Sequence, residues 1–309
     1  MSAKLDSDLG AGSATETAEL RDGSTPYLAY ALKGRNAPWR YLVGFPTAMV
    51  VMALGVVVIV ALQMSHLLAF DIATGLQDAS QPTKFYPATA ILFGLLLAGF
   101  VAAARMLHGK TFTDVIGAWR WRSFALGLAI WVPVLAISAV LDFLIAPSGF
   151  TVTANSQTPM LAVLALGGLA IQTFAEEFVF RGYVTQGLLA ATRRTIPTAL
   201  ISGALFGAMH IPNGLPQAVS ATLVGVVFAA IAIRTGGIAF TAGLHLANNL
   251  FGAVVLVSAN DAFHGAAGLM TQNTPQLMWW DTGVGAVGLL LVAAWVYRSA
   301  AKPGSVLAA

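Results

Sequence analysis

Residues 41–64 read YLVGFPTAMVVMALGVVVIVALQM, a stretch without a single charged side chain. As a helix it rises about 36 Å at 1.5 Å per residue, more than the roughly 30 Å of a bilayer's hydrocarbon core. Working outward, comparable apolar runs recur at about Pro87–Met106, Phe124–Ala146, Met160–Ala190, Pro197–Ile211, Pro216–Ile233, Gly237–Ser258 and Leu277–Tyr297. The sequence therefore predicts an all-α, polytopic transmembrane helical bundle of about eight spans.

Composition points the same way. Of 309 residues, 57% are hydrophobic and only 9% charged, where soluble domains carry about 25% charged residues. An ordinary soluble enzyme is excluded. The net charge of +3 comes from basic residues scattered through loops, not gathered on one soluble face, so no nucleic acid partner is expected. The chain has no cysteine, which removes disulfides, thiolate nucleophiles and cysteine metal sites.

Lys and Arg are retained on the cytoplasmic side of short loops. Lys4, Arg21, Lys33, Arg35 and Arg40 precede the first span, Arg105, Lys110, Arg120 and Arg122 follow the second, Arg193 and Arg194 the fourth, Arg234 the sixth, and Arg298 and Lys302 the last. The alternate connections hold only Lys84, beside Asp71, Asp78, Asp261 and Asp281. Both termini are thus expected in the cytoplasm, with the lipid bilayer of a prokaryotic plasma membrane as the setting. Residues 1–38 read as a flexible cytoplasmic tail, 39–123 as accessory transmembrane helices with an interfacial segment, 124–258 as a core that holds the intramembrane ionisable residues, and 259–309 as an extracytoplasmic loop, last span and cytoplasmic tail. Within 108–122, Phe112, Val115, Ile116 and Trp119 suit a segment lying flat on the inner surface. Trp39, Trp119, Trp121, Trp279, Trp280 and Trp295 fall near span borders, where amphipathic rings prefer the interface.

Ionisable groups inside apolar spans cost roughly 2.5–3.5 kcal/mol each on insertion scales, so each calls for a partner or a function. They are Asp142, Glu176, Glu177, Arg181, His210 and His245, with Asn248 and Asn249 alongside. Residues four apart share a helix face and adjacent ones diverge by about 100°. Glu177 is therefore expected to pair with Arg181, and Glu176 to point elsewhere, where desolvation suits a carboxylate to general-base work. Phe206 and His210 share one face, as do His245 and Asn249, while Gly203 and Gly207 permit close helix approach. Counting rise, Glu176 lies about 26 Å from Arg193, His210 about 20 Å from Pro197 and His245 about 12 Å from Gly237. Convergence at inner to middle depth is geometrically permitted. Each motif alone also reads as helix-packing glue. Asp142 stands alone near an outer span end, where interfacial solvation accounts for it, and Ser202 lacks the preceding glycine of a rhomboid-type nucleophile.

Those three motifs, EExxxR at Glu176–Arg181, FxxxH at Phe206–His210 and HxxxN at His245–Asn249, resemble in order and spacing the CPBP family, the CAAX proteases and bacteriocin-processing enzymes. The segment Gly225–Asn249, with Arg234, Thr235, Gly236 and Gly237, is similar to that family as well, and the resemblance covers about residues 124–255. It implies an eight-helix intramembrane endopeptidase like the type II CAAX prenyl protease, with Glu176, His210, His245 and Asn249 in the catalytic positions. Glu177, Arg181 and Phe206 take supporting roles.

The implied reaction is peptide hydrolysis near the cytoplasmic side, on a peptide or membrane-protein substrate. Glu176, helped by His210, activates water, and His245 and Asn249 donate to the oxyanion. A divalent metal such as zinc on Glu176, His210 and His245 is the alternative chemistry; the metal-free route needs only the carboxylate and is preferred. The same residues also read as the relay of a proton-coupled or solute transporter, or as packing in a noncatalytic membrane scaffold or immunity-type protein.

Overall fold

The computed structural model describes residues 25–300 and 306–307. Helix α1 (Pro26–Leu32) leads into α2 (Pro38–Met64), a short α3 (Ile72–Gly75) and α4 (Pro82–Ala103), which continues as a π-helical turn to His108. Then come α5 (Phe112–Ile116), α6 (Trp121–Ile145) and α7 (Thr158–Glu177). A π-helical segment, Phe178–Val184, joins α7 to α8 (Thr185–Thr192). The chain returns through α9 (Thr195–Ala208), α10 (Leu215–Thr235), α11 (Ala239–Leu250) with a π-helical end to Val255, and α12 (Met278–Ser299).

Proline opens α1, α2, α4, α7 and α10 within the first two positions, where its missing N–H breaks no helical bond. Six helices are long and apolar enough to cross a membrane, and two shorter apolar helices, Thr195–Ala208 and Ala239–Val255, lie where the fifth and seventh spans were expected. Helix α2 buries only Tyr41, Gly44 and Ala48, while Leu42, Val50, Leu54 and Val57 are mostly exposed. So wide an apolar face is compatible with lipid and not with water. The chain is a multi-pass integral membrane protein.

Hydrogen bonds between connections define the two ends of the bundle. At the basic end, Gly117 pairs with Gly237, Ile238 N–H donates to the Ile116 carbonyl, Lys110 Nζ donates to Gln186 Oε1 at 2.8 Å, and Arg234 reaches the Tyr297 carbonyl. At the other end, three short strands, β1 (Phe150–Val152), β2 (Leu256–Ser258) and β3 (Met270–Gln272), form a sheet of order β1-β3-β2. β1 runs antiparallel to β3 with Thr151 opposite Thr271, and β2 runs parallel to it with Val257 opposite Thr271. Thr158 Oγ1 donates to the Ala267 carbonyl beside this sheet.

Three expectations change. Residues 26–32 belong to no loose tail: α1 packs Tyr27 and Ala31 into the protein, and Tyr27 Oη donates to the Arg181 carbonyl at 2.6 Å. Residues 1–24 of that expected tail lie outside the described residues. Within the 108–122 segment Val115 and Ile116 face protein and not lipid, because they are buried in one cluster with Phe178, Val179, Tyr183 and Ile238. Its Thr111–Asp114 capping box and the Lys33–Asp114 ion pair (2.8 Å) hold α5 in place. Asp142 is buried, not solvated: its Oδ2 accepts from Gln272 Nε2 at 3.2 Å, and Asp281 lies within its electrostatic reach.

Candidate functional site

Helix α7 carries Glu176 and Glu177 at its end, where the π-helical segment begins, and such inserts re-aim side chains at functional sites. Arg181 lies one turn on and fully buried, its Nη1 3.2 Å from Glu177 Oε1. The guanidinium faces the rings of Phe206 at 4.1 Å and Phe228 at 5.1 Å, which stabilise a desolvated cation through their negative faces.

Helix α11 brings the imidazole. It crosses α6 at a close approach where Gly127 and Gly243 face each other's helix: a Cβ at Gly127 would run into the Phe240 carbonyl, and one at Gly243 into the Phe124 carbonyl. That contact sets His245 between the two glutamates. Its Nδ1 lies 2.9 Å from Glu177 Oε1 and its Nε2 3.5 Å from Glu176 Oε2. Thr241, one turn earlier, donates to Glu177 Oε2 at 2.7 Å. A carboxylate that accepts from Nδ1–H fixes the imidazole's tautomer and turns Nε2 to the cavity.

Helix α9 supplies Phe206 and His210. Gly203 and Gly207 nest against Val226 and Thr222 of α10, the close approach expected from their spacing. The Phe206 ring then meets His210 at a tilt (4.7 Å) and His245 edge-on (5.9 Å). His210 ends α9 with Nδ1 2.9 Å from the Phe206 carbonyl, which leaves Nε2 free for other work.

Glu176, His210, His245 and Asn249 line one cavity of about 170 Å³. The structure thus brings together all four residues singled out from the sequence. Glu177, Arg181 and Phe206 stand beneath them as a buried support, and Asn249 Nδ2 donates to Thr173 Oγ1 at 3.3 Å.

Other residues join that sequence reading passed over. Gln172 Nε2 donates to Glu176 Oε1 at 3.1 Å, and Thr241 grips Glu177. Both sit four residues before a motif residue, so helical spacing contains the signal. Asn213, Gln217 and Asp261 also line the cavity; Asn213 and Asp261 come from distant connections and Gln217 from the first turn of α10, and they leave no such trace.

Among the described residues, no three His, Asp or Glu side chains stand where they would share an ion.

Residues 158–251 match the model of the family described as type II CAAX prenyl endopeptidase Rce1-like, the same family grouping that the three motifs resemble. The chain is also similar to the uncharacterized protein YyaK of Bacillus subtilis, at 25% identity over 283 residues covering 86% of this chain and 95% of that protein. No solved structure matches.

Proposed function

We propose that this chain, whose residues 158–251 match the Rce1-like endopeptidase model, is an intramembrane endopeptidase that uses a glutamate-activated water. The carrying observation is the single polar cavity in which Glu176, His210, His245 and Asn249, from three different helices, meet. Glu176 takes a proton from water, and the hydroxide oxygen attacks the peptide carbonyl carbon. His245 turns Nε2 toward Glu176 and, as an imidazolium, donates to the developing oxyanion together with the Asn249 amide. Collapse of the tetrahedral intermediate breaks the C–N bond as the proton held by Glu176, or one relayed through His210 Nε2, passes to the leaving nitrogen. Glu177, held by Arg181 and Thr241, keeps the His245 ring in the orientation this requires.

The test compares membrane-associated peptides from cells carrying the unaltered chain or Glu176→Gln, by mass spectrometry. Loss of a general base costs about 10²–10⁴ in rate, so specific products vanish in the variant while the purified protein keeps its thermal midpoint. Identical peptide profiles would refute the proposal.

A further inference from the structure

Two membrane-crossing helices meet at their ends, α2 where it begins and α4 where it stops. Arg40 lies in the first turn of α2, and Arg105 in the π-helical turn that closes the α4 span. Both stand where a span leaves the hydrocarbon, at the depth of lipid headgroups.

The two ends are fastened to each other through backbone, not through carboxylates. Arg35 N–H donates to the His108 carbonyl at 2.9 Å, and Arg35 Nη2 to the Met106 carbonyl at 3.0 Å. Arg40 Nη1 donates to the Leu107 carbonyl at 2.7 Å. Gly34, at φ +72°, approaches the same turn so closely that a Cβ would run into the His108 carbonyl. His108 closes the joint from inside, its Nδ1 2.8 Å from the Arg35 carbonyl and its Nε2 2.8 Å from Tyr183 Oη. The guanidinium groups are thus held in place before a ligand arrives, which lowers the ordering cost of binding.

What is held there is positive charge without a counter-charge. Arg35 and Arg105 are exposed and Arg40 is half-buried, and among the described residues none of the three forms an ion pair with a carboxylate. Asp114, on neighbouring α5, is already engaged by Lys33 at 2.8 Å and by the Thr111 cap. Lys110, buried behind the turn, lies with Arg35 and Arg40 within electrostatic reach of His108 and adds to the field. A guanidinium carries five N–H donors in a planar fork that matches phosphate oxygens. Among the described residues, Arg35 and Arg40 each engage protein through one side-chain nitrogen, which leaves donors for a ligand.

An apolar surface lies directly below. Trp39 is 54% exposed, with the Arg40 guanidinium 4.6 Å from its ring centroid, the posture of an interfacial indole. Leu42, Phe45 and Met49 are exposed on one face of α2. Phe45 meets Phe100 of α4 edge-on at 5.2 Å, so this face borders the seam between the two helices. A soluble phosphate would use the arginines alone, whereas a lipid uses both halves of the site.

We propose that the corner formed by Arg35, Arg40, Arg105 and Trp39 binds the phosphate headgroup of an anionic phospholipid whose acyl chains lie along Leu42, Phe45 and Met49. Net negative headgroups are drawn to such a basic corner, and the ammonium of a zwitterionic one is repelled. The site is separate from the Glu176 cavity and does not depend on the reaction there.

The full chain, purified in a nonionic detergent, is titrated with dioleoyl phosphatidylglycerol or with phosphatidylcholine of the same chains, and bound lipid is counted by native mass spectrometry. Phosphatidylglycerol binds saturably and more tightly than phosphatidylcholine. Among the described residues the Arg105 side chain makes no hydrogen bond or ion pair, so Arg105→Gln leaves the fold intact. It weakens phosphatidylglycerol binding about fivefold, and Arg35→Gln combined with Arg105→Gln weakens it about 25-fold. Should the double variant fold poorly, Arg105→Gln alone carries the test. Arg298→Gln, at an exposed arginine in the last turn of α12, leaves the affinity unchanged, and millimolar inorganic phosphate does not displace the lipid. Equal binding of the two lipids, an affinity unchanged in Arg105→Gln, or an equal loss in Arg298→Gln overturns the proposal. Displacement by inorganic phosphate would assign the corner to a soluble anion and overturn the lipid as its ligand.

Discussion

Replacing Arg181 by Met tests the support beneath the cavity. Arg181 and Glu177 are both fully buried, 3.2 Å apart, and Glu177 also accepts from Thr241 and His245. Methionine keeps much of the side-chain volume and removes the charge, stranding a carboxylate in a closed interior. Breaking a buried pair on one side costs about 3–5 kcal/mol, because the remaining charge is desolvated without compensation. Glu177→Gln strands the guanidinium instead and costs about as much. At about 2–4 °C per kcal/mol for a chain of this size, each single variant loses about 6–20 °C in thermal midpoint. The double variant leaves no buried charge, so it falls well short of the additive sum, with a coupling energy near 3 kcal/mol. Thermal unfolding of the detergent-purified proteins, followed by tryptophan fluorescence, gives all four corners of the cycle. A double variant that loses the full sum, or a single variant within about 2 °C of the unaltered chain, would refute the reasoning.

Gly127→Ala lowers stability by about 1–3 kcal/mol despite alanine's better helix propensity, because its Cβ meets the Phe240 backbone. At Gly167, where a Cβ meets nothing within 4 Å, the same change raises stability by roughly 0.5–1 kcal/mol; unfolding midpoints compare them. For Asp261 the folded carboxyl is raised from 3.8 to about 6, so the folded state binds more protons than the unfolded one between those values. Stability therefore falls as pH rises from about 4 to 6, and Asp261→Asn at neutral pH recovers roughly 1–3 kcal/mol that vanishes below pH 4. A pH series of midpoints for both proteins checks the sign. Cleavage persists after exhaustive chelation, as a water activated by the Glu176 carboxylate requires; activity lost to chelator and restored by zinc would contradict this.

Much of the candidate site was legible because it is written in helical spacing. Glu177 with Arg181, Phe206 with His210, and His245 with Asn249 are each four residues apart, and one turn of helix puts such pairs on one face whatever the surroundings. Gln172 and Thr241 obey the same rule and were within reach. Asp261, Gln217 and Asn213 were not, because residues on separate connections meet only after the bundle closes. Asp142 misled for the same reason: its partners Gln272 and Asp281 lie more than a hundred positions away. The sheet was silent too, since strands of three residues are too short to show alternation.

The amino-acid order by itself determined that the chain lives in a bilayer, because uncharged runs of this length have no other stable solvent, and it determined which ionisable side chains are forced together by helix periodicity. Only the tertiary structure decided which imidazole nitrogen faces which glutamate, that α1 docks behind Arg181, and which residues of separate elements wall the cavity. Those depend on how helices cross, and a crossing is set by contacts between backbones far apart in the chain, such as Gly127 against Gly243, whose meeting no local pattern encodes.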